Sequence, residues 1–176
     1  MFMKMNNMIN NFSVVIPVFN EEEIFLESAD KIFKICQEMN MPFEIIFSEN
    51  GSMDNTKNLI QAFIEDKDNC FMINSNYANY GLALKNGFEI AKNDIVISFD
   101  IDYFSKKFLK QSLELDENFV ALVASKRLNE SEDERTFIRK MATSIFVLIL
   151  KLLFQTSLSD THGLSLIHIS EPTRHA

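Results

Sequence analysis

The chain has 176 residues, 47% of them hydrophobic and 24% charged, and carries a net charge of −8. That is enough for one domain with a real core, while the acidic balance leaves no broad cationic surface and so excludes nucleic acid as a partner. No segment reaches the ~20 apolar residues needed to cross a bilayer, and Cys36 and Cys70 lack a metal-ligand spacing, so buried free thiols of a reducing compartment are expected ahead of a disulfide.

Met1 to Asn11 is rich in Met and Asn without a continuous apolar run, so a disordered start is expected rather than a signal peptide. Phe12 to Val18 reads as the first strand, with Pro17 marking its end because proline cannot donate to a ladder. Asn20 is placed to cap a helix whose apolar stripe is Ile24, Phe25, Ile32, Phe33, Ile35, Cys36 and Met39. Glu23 would complete a capping box, and the acidic run Glu21 to Glu23 suits the positive end of the helix dipole. Phe43 to Phe47 is a second strand, followed by the polar turn Ser48 to Asp54. Asp54 is expected to cap a helix carrying Leu59, Ile60, Phe63 and Ile64 on one face.

Cys70 to Ile73 is a short third strand. After the polar loop Asn74 to Tyr80, Gly81 leads into a helix through Lys92 with Leu84, Phe88 and Ala91 inward. The fourth strand, from Asp94, is apolar and β-branched, and it runs into Asp100 and Asp102. Side chains two apart on a strand share a face, so extended backbone would let the two carboxylates converge on a hard divalent cation. An aspartate is also common where a strand simply ends, so the pair takes its meaning from its company. Phe119 to Ala124 is a fifth strand, and Arg135 to about Ser157 is helical in pattern.

Strand and helix alternate with connections too long for hairpins, which predicts an α/β fold: a mostly parallel sheet with helices on both faces. Ligands of such sheets bind beyond the carboxyl ends of the strands. The polar clusters Asn20 to Glu23, Glu49 to Asp54 and Asp100 to Asp102 all follow strand ends, hence share one edge. His162 is the only histidine before the final stretch, and no Ser-His-Asp set is credible.

Several stretches together resemble the family 2 glycosyltransferases of the GT-A fold, and among them the dolichyl-phosphate or polyprenyl-phosphate sugar transferases. They are Ser13 to Glu21, Glu49 to Thr56, Asn79 to Phe88, Phe99 to Asp102, Ser125 to Arg127, and Asp160 to Gly163, in the family's order. The resemblance puts Pro17, Val18, Glu21, Glu49, Ser52 and Asp100 beside the nucleotide, with Glu49 reading a uracil or guanine ring N–H. Family members often have Asp-Asp where this chain has Glu49-Asn50. Asp100 and Asp102 match the metal-binding Asp-x-Asp motif and so are the candidate catalytic and metal residues, for Mg2+ or Mn2+; a further ligand position that is polar in some relatives is Phe104 here.

What the resemblance implies is inverting sugar transfer from a UDP- or GDP-linked donor, the cation neutralising the diphosphate as it leaves. The implied acceptor is a polyprenyl phosphate, already anionic near neutral pH and needing no strong protein base. Lys126, Arg127, Arg135 and Arg139 could hold that phosphate, or be a solvated basic patch answering Glu130, Glu132, Asp133 and Glu134. Ile145 to Phe154 is apolar nearly all round; ten helical residues reach ~15 Å, half of a ~30 Å hydrocarbon core, so a core helix is expected ahead of an interfacial one. The expected location is cytoplasmic, with the cytoplasmic face of a membrane as a peripheral partner.

Leu164 to Arg174 resembles the translated read-through of a transposase-type sequencing adapter. The expected plan is therefore a disordered start over 1–11, an incomplete GT-A domain over 12–163, and a non-native tail over 164–176 that takes no part in fold reasoning. Rival readings are a sugar-nucleotide pyrophosphorylase, which would show an early Gly-rich phosphate loop where this chain has Pro17 to Glu23, and a non-catalytic protein binding nucleotide or membrane. A haloacid-dehalogenase-type phosphatase would carry its Asp-x-Asp on the first strand.

Overall fold

The computed structural model describes residues 10–114, 121–123 and 165–168. The elements are β1 (Phe12–Val18), α1 (Phe25–Gln37), β2 (Phe43–Glu49), α2 (Thr56–Ile64), β3 (Cys70–Asn74), α3 (Tyr80–Ile90), β4 (Ile95–Ser98), α4 (Lys106–Leu113), β5 (Ala121–Val123) and β6 (Ser165–His168). The sheet runs β3-β2-β1-β4-β6-β5. The first four of these strands are parallel, and β6 lies antiparallel to both β4 and β5.

All seven residues of β1 are buried, as a strand between two neighbours requires. Their alternation divides the core in two. Phe12, Val14, Ile16 and Val18 belong to a large cluster with Phe25, Ala29, Ile32 and Cys36 of α1, Ile60 of α2 and Phe108 and Leu109 of α4. Val15 faces the other way, into a smaller cluster with Ile46, Val96 and Ala91, against which Leu84 and Phe88 of α3 pack. Helices thus cover both faces, as expected. In the larger cluster the Phe25 ring meets Phe47 and Phe63 edge-on at centroid distances of 5.2 and 6.0 Å, the geometry aromatic rings favour. Helix α3 lies so close to β1 that a Cβ on Gly87 would come within 2.3 Å of Val15 Cγ1.

Pro17 is tolerated inside β1 because the β4 ladder stops at Val15↔Ser98, one turn of the pleat before it. At the opposite, amino-terminal ends of the strands, buried Ser13 and Glu44 form a polar tie. Ser13 Oγ donates to Glu44 Oε1 (2.7 Å), which also accepts the Lys92 N–H (2.6 Å), while the Asn93 N–H reaches Ser13 Oγ (3.3 Å). The tie satisfies a buried carboxylate and fixes the turn into β4.

Several expectations are corrected. Helix α1 begins at Phe25 with Ile24 as its N-cap and no side-chain cap; Asn20 instead takes left-handed backbone, φ 53°, which asparagine tolerates. Helix α2 is capped by Asn55 without a side-chain bond. Helix α4 was not anticipated, although Ser105 accepts the Phe108 N–H as an N-cap should. Strand β4 ends at Ser98, short of the aspartates. Ser165–His168, in the stretch that was left out of the fold reading, forms β6 on the open edge of β4. Cys36 and Cys70 are buried and free, as expected, and loss of solvation pushes both thiols up, Cys70 to about 12. Among the described residues no helix is long and apolar enough to cross a membrane. Residues 1–9, the basic residues Lys126, Arg127, Arg135 and Arg139, the apolar stretch 145–154 and the final eight residues lie outside the described set.

Candidate donor site at the carboxyl edge

Strand order reverses between β1 and β4: the chain moves outward from β1 to β2 and β3, then returns to β1's other side. A crevice opens at such a switch point, beyond the carboxyl ends of the strands. A cavity of about 230 Å³ sits there, lined by Pro17, Val18, Phe19 and Glu21 after β1, Asn50 after β2, Tyr80 at the start of α3, and Asp100, Ile101 and Asp102 after β4.

The aspartates meet through a turn rather than through strand periodicity. The Tyr103 N–H donates to the Asp100 carbonyl (3.1 Å), and Ile101 between them is buried at 2% exposure. Burying Ile101 throws both neighbouring carboxylates to the cavity side. Phe104 packs against the large core cluster beneath, which explains an apolar residue at that position.

The loops after β1 and β2 are laced together. The Asn20 N–H donates to Ser52 Oγ (3.0 Å) and Asn20 Oδ1 accepts the Met53 N–H (2.8 Å). The Glu21 N–H donates to Thr56 Oγ1 (2.8 Å), and Glu22 and the Asp54–Asn55 pair exchange bonds both ways (3.2 and 2.8 Å). The acidic run is therefore no mere helix-dipole feature: Glu22 fastens the loops and Glu21 lines the cavity. Gly51 within this lacing has φ +76°, and a Cβ there would come within 2.9 Å of the Tyr77 backbone, so only glycine fits.

Of the sequence candidates, Pro17, Val18, Glu21, Asp100 and Asp102 come together at the cavity. Glu49 and Ser52 do not line it. Glu49 is buried at 2% exposure and its Oε1 accepts the Ser52 N–H at 2.5 Å, so one carboxylate oxygen is committed to its own loop. Sequence reasoning missed Asn50 and Tyr80. Asn50 Oδ1 accepts the Asn79 N–H (2.7 Å), Asn79 Oδ1 caps α3 by accepting the Leu82 N–H (3.0 Å), and the Tyr80 hydroxyl donates to Asp100 Oδ1 (2.9 Å). The signal for the cap was legible in Asn79-Tyr80-Gly81; that for the phenol was not, because the Tyr80–Asp100 contact joins residues twenty apart in sequence.

Electrostatically the cavity is acidic, and among the described residues no basic side chain lines it. Burial, then repulsion from Asp102 and Asp54, raises the Glu21 carboxyl above its usual range. Burial, then the charge of Asp100 and the bond to it, pushes the Tyr80 phenol up, which keeps it a proton donor at neutral pH. An all-oxygen donor set under mutual repulsion suits a hard divalent cation that completes its shell with phosphate and water. Among the described residues no cluster of three or more acidic, histidine or cysteine side chains is arranged to hold a metal ion. A larger cavity of about 390 Å³ lies between the end of α1 and α4, but Lys106 and Glu38 pair across it, leaving no comparable excess of one charge.

Comparison with known proteins gives the following. The profile of the family described as glycosyl transferase family 2 matches residues 13–170. An undecaprenyl-phosphate 4-deoxy-4-formamido-L-arabinose transferase of Serratia proteamaculans (strain 568) is 28% identical over 156 residues, 86% of this chain and 47% of the relative. The chain spans less than half the length of the curated relatives it matches first. Among solved structures, mannosyl-3-phosphoglycerate synthase from Rubrobacter xylanophilus superposes with a TM-score of 0.67 over 90% of this chain and 53% of that one, at 15% identity. A mannosyltransferase from Pyrobaculum calidifontis, solved with GDP-Man and Mn2+, gives 0.59 over 89% and 44%, at 18% identity. The architecture shared with these is the GT-A fold expected from the sequence.

Proposed function

Because this chain belongs to glycosyl transferase family 2, we propose that it serves sugar transfer from a UDP- or GDP-linked donor to a polyprenyl phosphate. The observation that carries the reading is the convergence of Asp100, Asp102 and Glu21 on one cavity at the β1/β4 switch point. Asp100 and Asp102 are the residues to hold Mg2+ or Mn2+. That cation supplies charge neutralisation for the departing diphosphate. Pro17 and Val18 form the floor on which the nucleotide lies, and Asn50 and Glu49 set the shape of the loop around its base. Among the described residues no histidine lines the cavity, and none is needed when the attacking group is an anionic phosphate.

The acceptor class is supported by the name of the Serratia relative, an undecaprenyl-phosphate transferase, and the metal and donor classes by the GDP-Man and Mn2+ of the Pyrobaculum neighbour. A lipid acceptor places the reaction at a membrane surface, on its cytoplasmic face, with Lys126, Arg127, Arg135 and Arg139 the candidates for holding its phosphate. The test is calorimetry of Mn2+ with UDP- and GDP-linked hexoses, followed by a donor screen reading nucleoside diphosphate release with and without polyprenyl phosphate. Release that depends on Mn2+ and falls to background in Asp100→Asn, at unchanged melting temperature, is the expected result. No heat with any donor ends the reading. Binding without release selects a second reading, a nucleotide-binding protein without transferase activity, which Phe104 at the further ligand position favours.

A further inference from the structure

We propose that Tyr80 is a positioning residue for Asp100, its hydroxyl fixing the carboxylate in the orientation that presents it, with Asp102, to a divalent cation. The proposal rests on the donor reading above and assigns a role to a residue outside the acidic pair.

Asp100 follows the last residue of β4 by two positions and is half-buried within a turn. Its backbone is tied by the Tyr103 N–H, but a turn does not by itself fix the rotation of a carboxylate. The Tyr80 hydroxyl supplies a direct restraint on it, donating to Oδ1 at 2.9 Å. A carboxylate has about four lone-pair sites, so accepting this bond keeps capacity for a cation while removing rotational freedom.

What makes Tyr80 able to set a position is how firmly it is itself held. It is the first residue of α3, directly after Asn79. The side chain of Asn79 caps the helix and its N–H is gripped by Asn50 at the end of β2. The same helix is fastened deeper down, where Ser48 Oγ donates to the Ala83 carbonyl (2.7 Å) and Gly87 lets it settle on Val15. An unbroken series of contacts therefore runs from β2 through Asn50, Asn79 and Tyr80 to Asp100, across the mouth of the cavity. Tyr80 is 49% exposed, so it is no core aromatic whose hydroxyl is incidental, and partners that orient metal-binding carboxylates set metal affinity.

Tyr80→Phe keeps the ring and deletes only the bond. Mn2+ binding is measured by the loss of the free-ion electron paramagnetic resonance signal, with UDP or GDP present, on the full chain and on the variant at matched melting temperature. Metal-free UDP or GDP binding is measured separately by calorimetry. The expected result is a fall in Mn2+ affinity of about tenfold or more with metal-free nucleotide binding unchanged, and no further loss when Tyr80→Phe is added to Asp100→Asn, since the two act as one unit. Wild-type Mn2+ affinity in the variant overturns the proposal, as does an equal loss of metal-free nucleotide binding, which would make the phenol a nucleotide contact. If the unaltered chain takes up no Mn2+ under either condition, the donor reading fails and this proposal with it, an outcome distinct from a wild type that binds and a variant that binds equally well.

Discussion

Gly87 shows how a single missing side chain sets the spacing of a layer. With a Cβ that would lie 2.3 Å from Val15 Cγ1, Gly87→Ala has to move α3 or turn Val15 out of its rotamer. Overpacking of this kind costs about 1–3 kcal/mol, against about 1 kcal/mol that alanine gains over glycine in a helix interior. Gly87→Ala is expected to be less stable by up to about 2 kcal/mol in urea denaturation, and adding Val15→Ala should cost less than it does alone, because it vacates the contested volume. A Gly87→Ala chain as stable as the parent would mean that the helix is free to lift away. The same scale holds the residues that were hardest to read. Asp100 and Asp102 stood out in the sequence because two carboxylates after a buried strand are chemically conspicuous. Asn50 and Tyr80 did not, because an asparagine in a polar turn and a tyrosine before a glycine are ordinary until the fold brings β2 and β4 to the same crevice.

Among the elements, the loops after β1 and β2 behave as a pair because each completes the other's hydrogen bonding. Asp54 is the knot, accepting from the Thr56 N–H at 3.0 Å and the Glu22 N–H at 3.2 Å. Loss of solvation pushes its carboxyl up, but the bonds from Thr56 and Glu22 outweigh this and hold it below its ordinary 3.8. A depressed value means that the unfolded chain takes up the proton first as pH falls, so the stabilisation is complete above 3.8 and disappears as pH drops through the folded value. Urea midpoints should therefore fall more steeply on acidification below about pH 4 for the parent than for Asp54→Asn, with the variant the less stable of the two at neutral pH; parallel acid limbs would show that Asp54 contributes nothing to this linkage. The sequence placed these loops on one edge but could not show the lacing. Asn20 and Asp54 were expected to cap their own helices, and local capping is what such residues do when no second loop lies within reach. Here one does: Asn20 bonds only across to the second loop, while Asp54 keeps its local bond to the Thr56 N–H and adds the cross-loop bond from Glu22.

For the molecule as a whole, the parallel βα alternation was legible because strands buried on both faces are written as apolar β-branched runs. Strand β6 was not read, since Leu164 to Arg174 was set aside for its resemblance to adapter read-through, and Ser165–His168 answers β4 from far along the chain. The centre of this arrangement is β1, bonded on both sides and buried along its whole length. Native-state hydrogen exchange should find its amides, from Ser13 to Ile16, among the slowest in the chain, and those of β3 at the outer edge faster; faster exchange in β1 than in β3 would contradict the core described above.

Ser13, Glu44 and the turn before β4 are secured at one end of the strands, while every group proposed to touch a donor lies at the other. Scaffold upkeep and chemistry thus occupy opposite poles. Substitutions that retune which sugar or base is accepted can accumulate at the working pole while the anchoring pole goes on keeping the strands in step.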